Sequence, residues 1–173
     1  MLRKRLPALV AGLYLLASCG EGSDAPGSAT QTGAASWCKA SCNYTSRCTG
    51  PVSSTCPTQC AQSNGAYFSH VKDEFLSKDA ACIASSVCGD WKTMTGDCYK
   101  SVAPTVTPTA AVIDFCKAMS AKFFECFYAD DDLTFCAGDF APWNDSGVKR
   151  AKACATVACD GLNDCLNSAY NGT

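Results

Sequence analysis

The sequence predicts an all-α, disulfide-rich fold of two tandem copies of a small helical-hairpin unit with short helices. Fifteen of the 173 residues are cysteines, a density typical of disulfide scaffolds from oxidising compartments. Cysteines recur in the same order twice along the chain, and apolar residues between them recur every three or four positions, as in amphipathic helices. No clear alternating run of β-branched residues indicates a strand.

The chain begins with a segment that has the features of a signal peptide. Basic residues precede an apolar run from Leu6 to Ala17, which is too short to cross a bilayer that needs about 20 residues. The following Leu16-Ala17-Ser18-Cys19 resembles the lipobox of bacterial lipoproteins at all four positions. The resemblance implies removal of residues 1–18 and diacylation of Cys19, with a further acyl chain such as palmitate on its amine. An ordinary secretory signal is the alternative interpretation.

Cysteine parity favours the lipoprotein interpretation. Acylating Cys19 turns an odd number of thiols, 15, into an even number that can all pair. A lipidated cysteine anchors a chain without a spanning helix, because each buried methylene contributes about 0.8 kcal/mol. Gly20 rather than aspartate follows, which in enteric-type members of the family implies the outer membrane. We therefore expect a cell-envelope lipoprotein on the periplasmic face or the cell surface, with the membrane as its first partner.

Residues 19–36 form the predicted lipidated cysteine and flexible tether. From Gly20 onward this segment is rich in Gly, Ala, Ser and Thr and has no large apolar residue. Such a chain reaches roughly 20 to 25 Å, so the folded part is expected to stand off the membrane. Without the three basic residues of the signal, 11 basic residues face 16 acidic ones, a net charge of −5. This charge argues against a nucleic-acid partner.

The remainder is predicted to be two Cys-rich helical units, residues 37–103 (the first unit) and 109–173 (the second unit), joined by a proline-containing linker. Six cysteines of each unit match in order: Cys38, Cys48, Cys60, Cys82, Cys88 and Cys98 against Cys116, Cys126, Cys136, Cys154, Cys159 and Cys165. Cys42 and Cys56 have no counterparts, because Ser120 and Asp132 occupy the aligned positions. Two cysteines that are absent together are most simply bonded together.

The spacing of the first four cysteines predicts a doubly bonded helical hairpin. Two pairs with a spacing of four residues would face each other across antiparallel helices, a topology that resembles twin C-x3-C hairpins. The predicted nested bonds are Cys42–Cys56 and Cys38–Cys60, of which the second unit keeps Cys116–Cys136. The later cysteines are assigned as Cys48–Cys88, Cys82–Cys98, Cys126–Cys159 and Cys154–Cys165. Swapped pairing within each set of four remains open.

Helices are predicted from the apolar spacing and from stop signals. Positions 112, 116, 119, 123 and 126 define one amphipathic helix. Further helices are predicted over Ser36–Cys48, Ala66–Leu76 and Asp79–Cys88, the last ended by Gly89 as a C-cap. Pro142 and neighbouring glycines are expected to shorten the second helix of the second unit.

Aromatic residues of the second unit have two interpretations. Phe123, Phe124, Phe127 and Tyr128 are expected to pack inside and replace the missing disulfide, since each buried aromatic contributes about 1.5 to 3 kcal/mol. The alternative is a binding surface, for which the candidates are Phe124, Tyr128, Phe140 and Trp143.

No catalytic or metal-binding pattern emerges from the sequence. His70 is the only histidine, and its place in the predicted helix makes it a solvated or capping residue, with the adjacent Ser69 pointing elsewhere. C-x-x-C and mixed Cys/His spacings are absent, so no metal and no cofactor are expected. The acidic stretch Ala129–Phe135 lacks the order of a calcium loop and is interpreted as a solvated turn.

These observations favour a non-enzymatic, lipid-anchored envelope protein that acts as a binding or interaction module. The expected partner, besides the membrane, is an unknown protein or small ligand. A passive structural lipoprotein is the alternative, and an enzyme or enzyme inhibitor is a further one. A cluster of exposed aromatic residues would favour the binding module, a featureless polar surface the structural role, and a cleft that joins His70 to two acids an enzyme.

Overall fold

The computed structural model describes residues 32–127 and 133–171, and these ranges confirm an all-α, disulfide-rich fold. The first unit contains α1 (Thr32–Cys48), α2 (Cys56–Ser63), α3 (Gly65–Phe68), α4 (Asp73–Ser85), α5 (Trp91–Val102) and a 3-10 turn (Ala103–Thr105). The second contains α6 (Ala110–Phe127), α7 (Leu133–Phe140), α8 (Asp145–Ala153), two 3-10 turns (Cys154–Thr156 and Cys159–Gly161) and α9 (Leu162–Asn171). Among the described residues, β pairing is limited to one isolated bridge between Val71 and Trp143.

Buried apolar side chains form two clusters along the chain. In the first, α1 packs along α4 around fully buried residues such as Phe75, Leu76 and Ile83. In the second, α6 packs against α7 and α8 around Phe115 and Met119. Each unit is of a size at which one core is marginal and cross-links are usual.

Seven disulfides cross-link the helices, and each lies within one unit. The bonds are Cys38–Cys60, Cys42–Cys56, Cys48–Cys88, Cys82–Cys98, Cys116–Cys136, Cys126–Cys159 and Cys154–Cys165. They join the same cysteines that the sequence analysis pairs, including the nested pair that closes α1 on α2. No bond among these seven connects the first unit to the second, so the units are held against each other by non-covalent contacts and the linker.

The helix boundaries differ from the sequence prediction at the start of the first unit. Helix α1 begins at Thr32, so residues 32–36, assigned to the tether, are helical. Gly33 explains the extension: its amide donates to Asp73 Oδ1 at 2.6 Å, and a side chain here would clash with Asp73 and Leu76. The absence of a side chain on glycine therefore lets α1 begin in direct contact with α4.

The helix predicted over Ala66–Leu76 is also wrong, because the chain turns between α3 and α4. Residues 69–72 leave the helix and pair with the second unit. Helix α4 then ends at Ser85 instead of Cys88, since Ser86 is extended. Gly89 is not its C-cap but forms hydrogen bonds with the hydroxyl of Tyr44 on α1, donating its amide at 2.9 Å.

Candidate functional site

The predicted aromatic binding surface is only partly exposed. Phe124 is 54% exposed, whereas Phe140 is half-buried and Trp143 is buried. The ring centroids of Phe140 and Phe115 lie 4.6 Å apart, and those of Phe140 and Trp143 lie 5.1 Å apart. The prediction is therefore wrong for Trp143, because the chain turns at Pro142 and buries its ring. Phe140 packs on the core but keeps part of its surface exposed. Tyr128 and Cys19 lie outside the described residues.

Besides Phe124, two large apolar side chains of the second unit that were not candidates for the binding surface, Phe127 and Leu133, are exposed. Phe124 and Phe127 near the end of α6 are 54% and 41% exposed, and Leu133 at the start of α7 is 45% exposed. We name Phe124, Phe127 and Leu133 the apolar patch. Counted from the matching cysteines Cys48 and Cys126, the first unit has Ser46 and Thr49 where the second has Phe124 and Phe127. The patch therefore has no apolar equivalent on the first unit at these two positions.

The apolar patch corrects the expectation that these aromatics replace the missing disulfide by packing inside. Among the described members of this group, only Phe123 packs on the core, where it is partly buried, and its ring centroid lies 5.9 Å from that of Phe127. Phe124 is slightly more than half exposed, and Phe127 slightly less than half. Adjacent positions on a helix point about 100° apart, so Phe123 can face the core while Phe124 cannot.

Charged groups flank the apolar patch. Lys122 is buried, and its Nζ donates to Oε1 of the exposed Glu125 at 3.0 Å. Glu125 also lies near Cys126 and Cys159, but those two sulfurs are bonded to each other and provide no thiolate for a metal. This end of α6 therefore presents one exposed carboxylate, that of Glu125, in addition to the apolar patch.

His70 is buried, which corrects its assignment as a solvated or capping residue. It lies in the turn between α3 and α4, is 5% exposed, and its Nδ1 has no hydrogen-bond partner. Its Nε2 lies 3.5 Å from Ser69 Oγ, so Ser69 does not point elsewhere. Ser69 Oγ donates instead to Ala66 O at 2.7 Å. Desolvation and, secondarily, the charge of Arg150 lower the pKa of His70. Among the described residues, no carboxylate forms a hydrogen bond with the ring to orient it as a base.

Asp79 is a buried acid that sequence reasoning missed. It lies on α4, is 6% exposed, and its Oδ2 accepts a hydrogen bond of 2.7 Å from Trp37 Nε1 on α1. Burial raises the pKa of Asp79 to about 6, although the bond from Trp37 acts in the opposite direction. The residues of the second unit that align with Trp37 and Asp79 are Phe115 and Ala151, which are both apolar and buried. This paired replacement is a signal in the repeat that could have located the interaction.

Comparison with known proteins identifies no relative. No family model, no curated protein and no solved structure matches this chain. In the part of the chain that the structure describes, no helix is both long and apolar enough to cross a membrane.

Proposed function

We propose that this protein is a non-enzymatic, lipid-anchored envelope protein whose second unit binds a protein partner through the apolar patch. The observation that carries the proposal is the exposure of three large apolar side chains, Phe124 and Phe127 near the end of α6 and Leu133 at the start of α7. Phe124 and Phe127 lie three positions apart on α6, a spacing that makes side chains neighbours on a helix surface. Clustered exposed apolar side chains mark interaction sites more often than single ones do.

The framework beneath the apolar patch supports a preorganised binding surface. The opposite face of α6 packs in the core through Phe115 and Met119. Two disulfides, Cys116–Cys136 and Cys126–Cys159, tie α6 to α7 and to the segment before α9. A surface held in one conformation loses little conformational entropy on binding, so more of the contact energy appears as affinity.

The proposed location rests on the disulfides and on the N-terminal resemblance. Seven disulfides are typical of an oxidising compartment. The lipobox-like sequence Leu16-Ala17-Ser18-Cys19 adds the anchor, and Gly20 after it, in place of aspartate, supports the outer membrane of a bacterial envelope. Intact mass after expression in a bacterial host tests the anchor: lipid on Cys19 and loss of residues 1–18 are expected. An unmodified Cys19 or a retained signal segment would contradict it.

A pull-down with matched variants tests the binding role. The bait is the soluble fragment Thr32–Thr173, which contains every described helix, compared with the double variant Phe124→Ser and Phe127→Ser. Val87→Ser is the control, because Val87 is 86% exposed but lies on the first unit. We expect a partner that the fragment and the control retain equally, with affinity for the double variant at least about tenfold weaker, or about 1.4 kcal/mol.

Two outcomes would contradict the binding role. Equal retention by all three baits would show that the apolar patch is not the contact, and the absence of any partner would favour a passive structural lipoprotein. Sedimentation of the fragment alone shows whether the patch instead joins two copies of this chain, which would replace the proposed partner with a homodimer.

A further inference from the structure

The two units contact each other at several places: α7 packs on the 3-10 turn Ala103–Thr105, α9 packs on α3, and the Tyr99 hydroxyl donates to Asp139 O at 2.5 Å. A further contact is formed by Ser69–Lys72 of the first unit and Pro142–Asn144 of the second, and we define it as the junction. The Lys72 amide donates to Pro142 O at 2.8 Å, and the Asn144 amide donates to His70 O at 2.9 Å. The Asn144 side chain adds a bond of 2.9 Å from Nδ2 to Ser69 O. The two amide bonds lie around the Val71–Trp143 bridge and connect the main chains of the two units.

The His70 side chain is enclosed within this junction. Gly147 at the start of α8 approaches it so closely that a Cβ there would lie 2.7 Å from His70 O and 2.9 Å from His70 Cβ. His70 is only 5% exposed, and its Nδ1 has no acceptor. A proton added at Nδ1 would therefore be a buried donor without a partner, which costs free energy.

The charged groups around His70 also disfavour a positive charge on its ring. On α8, the positive charge of Arg150 lowers the pKa of His70. Lys149 and Lys152 on the same helix are exposed. The charge of Asp145 acts on Lys72, where it favours a higher pKa. Helix α3 and residues 141–144 carry no charged side chain. Helix α9, which packs on α3, carries one acid, the exposed Asp164. Arg150 is the charged group that shifts the equilibrium of His70, and its charge opposes protonation.

We propose that His70 is a proton-operated lock between the units: the neutral ring keeps the junction closed, and the protonated ring opens it. No described disulfide crosses the junction, so it can open while each unit keeps its own cross-links. The lowered pKa means that the closed state binds the proton more weakly than a solvent-exposed histidine does. Closure is therefore fully favoured above about pH 6.5 and weakens as the pH falls below that value.

Nuclear magnetic resonance of the full chain tests the lock directly, because His70 is the only histidine and its ring signals need no mutation for assignment. Titration should give a pKa below about 6.5 in the folded protein. In the same samples, the amides of Lys72 and Asn144 should lose protection from hydrogen exchange as the ring becomes protonated. Each unit of pKa difference allows up to about a tenfold loss of protection. The amide of Ile83 in the core of the first unit should keep its protection.

The variant His70→Gln separates the ring charge from a general effect of acid. Glutamine stays neutral, so the Lys72 and Asn144 amides should remain protected at low pH if the variant folds as the parent does. A His70 pKa at or above about 6.5 would overturn the lock whether or not the variant folds. Protection that is independent of pH in the parent, or that is lost equally in the variant, would also overturn it. The test involves no binding partner, so its result is independent of the proposed function.

Discussion

Replacing Asp79 by asparagine should make the stability of this protein less dependent on pH. The Asp79 carboxyl is 6% exposed, accepts a 2.7 Å bond from Trp37 Nε1 through one oxygen, and has no partner at Oδ1. Burial opposes the charged form and raises the pKa from 3.8 to about 6. Since the unfolded chain keeps an ordinary carboxyl, the folded state binds the proton more tightly than the unfolded state.

The sign and size of the effect follow from this difference. The stabilising contribution of the protonated carboxyl is fully present below the unfolded value of 3.8 and is lost as the pH rises through about 6. A shift of about two units corresponds to about 3 kcal/mol, at about 1.4 kcal/mol per unit. The substitution Asp79→Asn would remove this loss, because an amide does not ionise. The new amide nitrogen also enters a site without a partner, a cost of about 1 to 3 kcal/mol that does not vary with pH.

Denaturant unfolding of the oxidised protein, followed by far-UV circular dichroism, measures this difference. The free-energy difference between Asp79→Asn and the parent should move by up to about 3 kcal/mol in favour of the variant from about pH 3 to about pH 8. The titration of His70 is common to both proteins and cancels in the difference. A change of less than about 1 kcal/mol over that range would refute the reasoning.

Trp37→Phe is the matched control for the Asp79 prediction. It removes the hydrogen bond that lowers the pKa of Asp79 but leaves the buried carboxyl in place. The pKa should therefore rise further, and the variant should lose more stability near neutral pH than in acid. A loss of equal size at both pH values would show that Trp37 acts only through packing.

Two further predictions concern the covalent framework and the junction. Joint replacement of Cys42 and Cys56 by serine removes a disulfide that joins residues 14 positions apart in the sequence. In the chain-entropy model, this should lower the free energy of unfolding by about 3 kcal/mol. Denaturant titration measures the change, and no loss of stability would show that the bond is dispensable. Gly147→Ala should cost about 1 to 3 kcal/mol because its Cβ would meet His70, whereas Gly138→Ala, with nothing within 4 Å, should be neutral or stabilising. Thermal unfolding of both variants tests the contrast, which equal effects would refute.

The nested disulfides of the first hairpin were predictable because cysteines that pair are absent together from the other copy of the repeat. For the four later cysteines of each unit, the sequence left swapped pairing open. Cys42 and Cys56 lack counterparts together, and the spacing of four residues places cysteines of one helix on the same face. The structure bonds them as expected. The helix predicted over Ala66–Leu76 from apolar spacing alone was wrong. Its periodicity is suitable, but residues 69–72 at its centre leave the helix and contact the second unit.

Contacts between the units were not predictable from local patterns. From its position next to a proline, Trp143 is predicted to be an exposed aromatic residue. The turn at Pro142 instead places Trp143 against Val71, which is distant in sequence, and Trp143 is buried. His70 likewise reads as a helical surface residue until the second unit covers it. Such contacts depend on how two folded units pack, and neither apolar periodicity nor turn chemistry encodes this.

The differences between the two units suggest why the second carries the apolar patch. The first unit keeps two constraints that the second lacks, the inner disulfide Cys42–Cys56 and the buried bond from Trp37 to Asp79. At the positions that align with Trp37 and Asp79, the second unit has the apolar residues Phe115 on α6 and Ala151 on α8. For each of these constraints, both partner residues differ between the two units. A change of one partner alone would leave a free thiol or an unpaired buried charge. With the inner disulfide absent, Cys116–Cys136 is the one disulfide between α6 and α7 in the described part of the chain. The exposed Phe124, Phe127 and Leu133 lie near the end of α6 and at the start of α7.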